Sequence, residues 1–432
     1  MYLIILIVAA ATTLLITPLV RRFAVRFGVV DRPGERKIHR TPMPLLGGLA
    51  LAAGFSAGCA IAYNLDAARV FDTPFVGLAG GAAMMVLLGI YDDRYGADAR
   101  LKLSVQTLAA ALVVASGSRI AILTNPLGGH WDLGILSIPI SILWIVGITN
   151  AMNLIDGLDG LAAGIGAIVS LTLFSVAIPD PVSFVPVAAA ALAGSCLGFL
   201  RFNFPPARIF LGDTGSLLLG FVIAVIGMQG FLKGATALAL LVPLLAIGLP
   251  VIDTSLAILR RSIRRRHLFQ ADREHLHHRL VRIGLTHRQA VGVMYWVSIF
   301  LAFTALSLRD LPPQKGMLLL AVAFMGGALL LKTLGYVEAR FRLLYLKLKQ
   351  LAEAGRAPGR EEMTLLDGFH TEDAEEGIEA PSAAPSSREN EGGEGPVPAF
   401  GVAELFGRPG LPRRILESKL LSYSKSRSPQ NP

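Results

Sequence analysis

The stretch Asn150-Ala151-Met152-Asn153-Leu154-Ile155-Asp156-Gly157-Leu158-Asp159-Gly160 sets two amides, two carboxylates and two glycines between apolar runs at 133–148 and 161–177. An ionisable group beside a membrane span is costly, and by default it marks a functional site. The carboxylates are hard oxygen donors suited to Mg²⁺. The glycines allow a sharp turn and close approach of backbone to a ligand. A plain connecting loop needs no Asn-x-x-Asn-x-x-Asp-Gly-x-Asp-Gly pattern.

Three further clusters carry chemistry. Tyr91-Asp92-Asp93-Arg94 ends an apolar run, and two adjacent carboxylates repel unless Arg94, Lys102, a metal or a cationic transition state offsets them. Phe210-Leu211-Gly212-Asp213-Thr214-Gly215-Ser216 opens another apolar run, where free N–H groups at a helix start favour an anion or a metal-bound phosphate. Asp213, between glycines, is a good single metal ligand, although an ordinary N-cap role for Asp213 or Thr214 competes. Finally, Asp272-Arg273-Glu274-His275-Leu276-His277-His278-Arg279 follows the basic run 260–266. With no thiol nearby and arginines around it, this histidine cluster fits pyrophosphate better than zinc. In the first basic loop, Lys37, His39 and Arg40 can hold a phosphate, against the plain alternative of orientation charge.

These clusters must be held by membrane helices. The 432-residue chain is 53% hydrophobic and 16% charged, with a mean hydropathy of +0.57. Soluble domains carry about 25% charged residues. Eleven apolar runs can span, at roughly 2–20, 45–63, 74–90, 101–116, 133–149, 161–178, 183–200, 215–231, 236–259, 290–308 and 315–335. Loops on one side (21–44, 91–100, 150–160, 201–214, 260–289) hold 20 Lys and Arg, against 4 on the other. The basic side is expected to be cytoplasmic, with the N-terminus outside and the C-terminus inside. The expected fold is an all-α integral membrane protein, an eleven-helix bundle with a cytoplasmic cleft. Residues 1–335 form the membrane domain and 336–354 a basic amphipathic helix on the inner leaflet. The remainder, 355–432, is a largely disordered tail.

The net charge of +9 is therefore an orientation signal, not a nucleic-acid footprint. The start lacks a basic n-region and a cleavage site, so it reads as a retained span. Cys59 and Cys196 lie in apolar runs and imply no disulfide chemistry. A transporter would place charge within its spans and polar clusters on both sides. Here every cluster falls on the basic side, and Asp253 is the clearest charge within a span.

Together the four motifs resemble the polyprenyl-phosphate N-acetylhexosamine-1-phosphate transferases over residues 1 to about 335. That family starts O-antigen, enterobacterial common antigen and wall teichoic acid synthesis, and includes a peptidoglycan enzyme as a more distant relative. The resemblance implies attack of undecaprenyl phosphate on the β-phosphorus of a UDP-N-acetylhexosamine, with Mg²⁺ or Mn²⁺, releasing UMP. It implies a multi-pass protein of the bacterial inner membrane, its site facing the cytoplasm, and a possible homodimer. By the same resemblance Asp213 is the metal-binding aspartate. Asp92 and Asp93 lie near the lipid phosphate, one taking its proton or helping hold the metal. Asn153 and Asp156 line the diphosphate and ribose region; Asp159, Asn203 and Phe210 form the uridine pocket, Phe210 stacking on uracil. His275, His277 and His278 act on the diphosphate or sugar. One family pattern has Lys shortly after the Asp pair, and Arg94 does not meet it literally.

The His-Leu-His-His form and the run Arg260–Arg266 look more like enzymes that use UDP-GlcNAc than like phospho-N-acetylmuramoyl-pentapeptide transferase. A prenyl-pyrophosphate phosphatase would leave Asp159, Asn203 and Phe210 without a task.

Overall fold

In a computed structural model the described residues are 1–332, apart from 33–41, 68–71, 125–129, 179–183, 232–240, 264–275, 283, 312–314, 328 and 330–331. Twelve of the helices among them are α1 (Tyr2–Arg26), α2 (Gly47–Ala62), α3 (Thr73–Tyr95), α4 (Ala99–Ala115), α5 (Ser137–Ile155), α6 (Leu161–Ala177), α7 (Val185–Asn203), α8 (Gly212–Phe231), α9 (Leu241–Ala246), α10 (Gly248–Ile263), α11 (Leu276–Arg282) and α12 (His287–Asp310). The apolar helix Lys315–Gly327, α13, follows. Seven helical stretches among the described residues are long and apolar enough to cross a membrane: those built on α1, α2, α3, α5, α7, α8 and α12. Leu15, Leu87, Leu143, Trp296 and Phe303 are broadly exposed on them. Such a surface is costly in water and natural in lipid, where helices also satisfy their own backbone. The protein is an all-α membrane protein. One compact unit runs from Met1 to Leu331.

Local sequence sets the helix ends. Asp72 and Asp98 accept from Phe75 N and Leu101 N at the starts of α3 and α4. Thr286 and Gln289 form a capping box on α12.

Several boundaries differ from the sequence expectation. The stretch 150–160 is not all loop: α5 continues through Ile155, and only Asp156–Gly160 turns. The run 236–259 is not one continuous described helix. It breaks at Ile247, and Gly248 with Pro250 opens α10, where a first-turn proline has no N–H to waste. Two small antiparallel hairpins accompany the helices, β1 (Val30–Asp31) with β2 (Met43–Pro44), and β3 (Ile122–Thr124) with β4 (His130–Asp132). The expected helix at 336–354 and the tail lie outside the described residues.

One helix sits at the centre. Every residue of α8 from Thr214 to Met228 is buried, and it packs on α2, α3, α5, α6 and α7. Its first turn is wedged against side-chain-free backbone. A Cβ on Gly48 of α2 would lie 2.1 Å from Gly215 N, and one on Gly89 of α3 would lie 2.2 Å from Thr214 Cα. Two main-chain bonds, Gly47 N to Phe210 O (3.1 Å) and Gly48 N to Leu211 O (2.9 Å), fix the approach to α8 along the start of α2.

Candidate active site

The end of α3 with the connection 96–98, the loops 156–160 and 204–211, and the ends of α1, α2, α4 and α8 gather at one end of the bundle. Arg94 donates to the Phe27 carbonyl and Arg21 Nε to the Arg208 carbonyl at 3.1 Å, joining the end of α1 to the end of α3 and to the 204–211 loop. At the other end Gln229 reaches Ser118, and Ile120 N donates to Ser141 Oγ at 2.8 Å.

Asp213 stands at the start of α8. Its Oδ2 accepts from Lys102 Nζ at 2.6 Å, and its Oδ1 from Asn153 Nδ2 at 3.0 Å. Asn153 also reaches Ser216 Oγ at 2.8 Å. The same Lys102 ammonium pairs with Asp92 Oδ2, while Asp92 Oδ1 accepts from Ala97 N. So α3, α4, α5 and α8 each bring one polar side chain to a common cluster. The cation offsetting the carboxylates is Lys102; Arg94 is engaged elsewhere.

Asp93 faces a different task. Its carboxylate accepts from Asp213 N (2.8 Å), Thr214 N (3.1 Å) and Thr214 Oγ1 (2.6 Å). The anion expected at the start of α8 is thus Asp93 itself, supplied by α3 as a cap in trans. Neither Asp213 nor Thr214 serves as that cap. Gly212 takes φ +71°, and a Cβ there would lie 2.5 Å from Asp93 Oδ2, so both conformation and space call for glycine.

Asp156 follows the last turn of α5. No hydrogen bond to its carboxylate is formed among the described residues. Burial, then the charges of Asp213, Asp93 and Asp159, push its pKa well above the usual carboxylate range. Asp159 Oδ2 accepts from Ala207 N at 2.8 Å. Asn203, 3% exposed, accepts from Gly160 N and donates to Ile209 O, both at 3.0 Å. Its amide is occupied in joining the 156–160 turn to the 204–210 loop. Phe210 is half-buried between Pro44, whose carbonyl its N–H meets, and Gly47.

The structure therefore brings together Asp92, Asp93, Asn153 and Asp213, and separately ties Asp159 and Asn203 to the 204–210 loop. His275, Lys37, His39 and Arg40 lie outside the described residues, as do the side chains of His277 and His278, whose backbone is in α11. The start of α11 is held by Asp253, 5% exposed, which accepts from Leu276 N at 2.8 Å. That gives the charge within a span a structural task.

Sequence reasoning did not single out Gln106, Tyr295 or Arg288. Gln106, 1% exposed, exchanges amide hydrogen bonds with Asn150 one helical turn below Lys102. A glutamine within an apolar run was the available signal. Tyr295 Oη donates to Gly160 O at 2.6 Å, and Arg288 Nε to Pro205 O at 2.9 Å. Nothing in the local pattern marks those two.

Four carboxylates (Asp92, Asp93, Asp156, Asp213) thus interact at close range around a single described ammonium. Such an excess of negative charge suits a divalent cation. Among the described residues no three metal-ligating side chains already converge.

The model of glycosyl transferase family 4 matches residues 75–231, which include all of this cluster. A probable undecaprenyl-phosphate N-acetylglucosaminyl 1-phosphate transferase of Bacillus subtilis is 36% identical over 337 residues, covering 78% of this chain and 93% of that protein. A decaprenyl-phosphate N-acetylglucosaminephosphotransferase of Mycolicibacterium smegmatis is 39% identical over 343 residues, covering 73% and 84%. A phospho-N-acetylmuramoyl-pentapeptide-transferase of Moorella thermoacetica is 35% identical over 325 residues, covering 70% and 97%. The motifs, the helices that present them and these likenesses agree: the chain belongs to glycosyl transferase family 4, among the polyprenyl-phosphate N-acetylglucosamine-1-phosphate transferases.

Proposed function

We propose that this protein transfers GlcNAc-1-phosphate from UDP-GlcNAc to undecaprenyl phosphate, releasing UMP, at the cytoplasmic face of the bacterial inner membrane. The observation that carries the reading is the Asp92–Lys102–Asp213–Asn153 cluster at the shared end of four packed helices. A water-soluble nucleotide sugar and a membrane-held phosphate meet only at such a boundary. Arg21, Arg94 and Lys102 lie at this same end, which supports a cytoplasmic orientation.

Two anions must be brought together, and phosphoryl transfer depends on positioning and charge stabilisation more than on covalent help. Lys102 places a positive charge between α3 and α8. Asn153 orients Asp213 so that one carboxylate oxygen faces the ammonium and the other is held by an amide. Asp93 keeps the first turn of α8 in place; already accepting three hydrogen bonds, it is poorly placed to act as a base. No base is required, because the lipid phosphate is already a competent nucleophile, so direct attack on the β-phosphorus is favoured over an aspartyl intermediate. Asp213 and Asp92 are the oxygens to hold Mg²⁺ or Mn²⁺; when bound, the metal supplies charge neutralisation along the diphosphate. Asp159, Phe210 and the 204–210 loop form the uridine side.

The test is product formation. Purified protein, undecaprenyl phosphate, Mg²⁺ and radiolabelled UDP-GlcNAc should give labelled lipid and UMP, lost with EDTA and in Asp213→Asn. The likeness to the Moorella protein keeps one rival in view. Transfer from UDP-N-acetylmuramoyl-pentapeptide but not from UDP-GlcNAc would move the protein to peptidoglycan synthesis with the mechanism unchanged. Folded protein that transfers from neither donor would sink the reading.

A further inference from the structure

Gly160 ends the turn that carries Asp156 and Asp159, and both of its main-chain groups are held from other elements. Its N–H donates to Asn203 Oδ1 at 3.0 Å, and its carbonyl accepts from Tyr295 Oη at 2.6 Å. Tyr295 comes from α12. Its ring is seated against Gly164, where a Cβ would lie 2.0 Å from the hydroxyl oxygen. Two turns earlier on α12, Arg288 Nε donates to the Pro205 carbonyl at 2.9 Å. The two targets are neighbours: a Cβ on Gly160 would lie 3.3 Å from Phe204 Cα and 3.4 Å from Pro205 Cδ.

A membrane helix needs neither contact to stay in place. Packing and its apolar face suffice, and a phenylalanine would fill the Gly164 notch as well as a tyrosine. Arg288 is exposed and free to turn to the aqueous boundary. Instead both polar groups are directed at carbonyls of the two adjoining loops. The carbonyl of Gly160 already accepts Gly164 N at 2.9 Å, so Tyr295 adds a lateral tie to a turn that is otherwise complete. Asp159 is bonded across the same seam to Ala207 N. These ties leave Asp156 as the carboxylate of the turn that no hydrogen bond restrains among the described residues.

We propose that α12 is a clamp, in which Tyr295 and Arg288 are positioning residues that hold the Asp156–Gly160 turn against the 203–210 loop and thereby set the UDP-sugar half of the site. This rests on the transferase reading above. It makes a directional claim, because the lipid-phosphate half, built on Asp92 and Lys102, has no hydrogen bond or ion pair to α12 among the described residues. Loosening the clamp should therefore alter one substrate's parameters and spare the other's.

The test uses the full-length protein in nanodiscs, with Tyr295→Phe and Arg288→Gln beside the parent. Hydrogen exchange followed by mass spectrometry should show faster exchange in peptides spanning 153–164 and 203–211, with peptides spanning 89–97 unchanged. In the transfer assay, kcat/KM for UDP-GlcNAc should fall about five-fold per lost hydrogen bond, with KM for undecaprenyl phosphate unmoved. Tyr295→Phe combined with Asp159→Asn should cost less than the product of the two single losses. Unchanged exchange at 153–164 in both variants would overturn the clamp. So would an equal shift in both substrates' KM accompanied by a lowered melting temperature, which is the mark of a general structural role. If Tyr295→Phe does not fold, Arg288→Gln alone carries the test, since that side chain is exposed. Faster exchange in a protein whose parent uses no UDP-sugar would keep the clamp and reject the proposed reaction.

Discussion

Asp92 and Asp93 are chain neighbours with different work. Asp93 accepts three hydrogen bonds at the start of α8, whereas Asp92 shares the Lys102 ammonium with Asp213. Asp93→Ala should lower stability by about 1–2 kcal/mol, as losing a cap does. Thermal unfolding in detergent checks this, and Asp92→Ala should cost clearly less. Lys102→Met leaves Asp92 and Asp213 without their cation. Turnover should fall at least about 100-fold. If Asp92 and Asp213 hold the divalent ion, its half-saturating concentration should fall too, because a competing charge has gone; a Mg²⁺ titration of residual activity reads this. Asp156 carries the pH prediction. Its pKa is raised in the fold, so its ionisation opposes folding. That cost is absent below the unfolded value, about 3.9. It accrues as pH rises toward the folded pKa and is complete above it. Asp156→Asn should therefore raise the melting temperature at pH 7.5 and leave it nearly unchanged at pH 4, while transfer activity is lost.

At the scale of elements, the site depends on how closely α8 can approach α2 and α3. Gly48→Ala would put a methyl 2.1 Å from backbone, which no side-chain rotation relieves. Overpacking of this kind costs about 1–3 kcal/mol or more, and transfer should be lost with it. Gly292→Ala on α12 meets nothing within 4 Å and should be neutral or slightly stabilising. Paired melting curves decide. Much at this scale was legible beforehand. Long apolar runs gave the helices, because lipid leaves backbone few other options. Asp92-Asp93, Asn153 and Asp213 stood out because polar residues there needed a reason. What escaped depends on contacts distant in the chain. That Lys102 rather than Arg94 offsets the carboxylates, that Asp93 caps α8, and that Asn203 is spent on main chain are facts of packing, which residue types do not encode. The hairpin β3–β4 escaped for a different reason. It is short and lies between spans, where periodicity has few residues to act on, although Asn125-Pro126 and Gly128-Gly129 are turn signals.

At the scale of the whole molecule, the two ends of the bundle should face different compartments. Cys59 and Cys196 are buried, so an added surface cysteine gives a clean signal. Asp98→Cys, beside the cluster, should react with an impermeant maleimide only in inverted vesicles. Trp131→Cys, in the opposite hairpin, should react from outside intact cells; the reverse pattern would invert the proposed orientation. The central place of α8 also bears on how the protein is made. Five of the helices against which it packs precede it in the chain, and the polar partners of Asp213 lie in α4 and α5. As the polypeptide leaves the ribosome, α8 therefore arrives at a cavity whose walls are already synthesised. Its arrival brings Asp213 to Lys102 and Asn153, and the half of the site tied to α12 is completed only when that later helix follows.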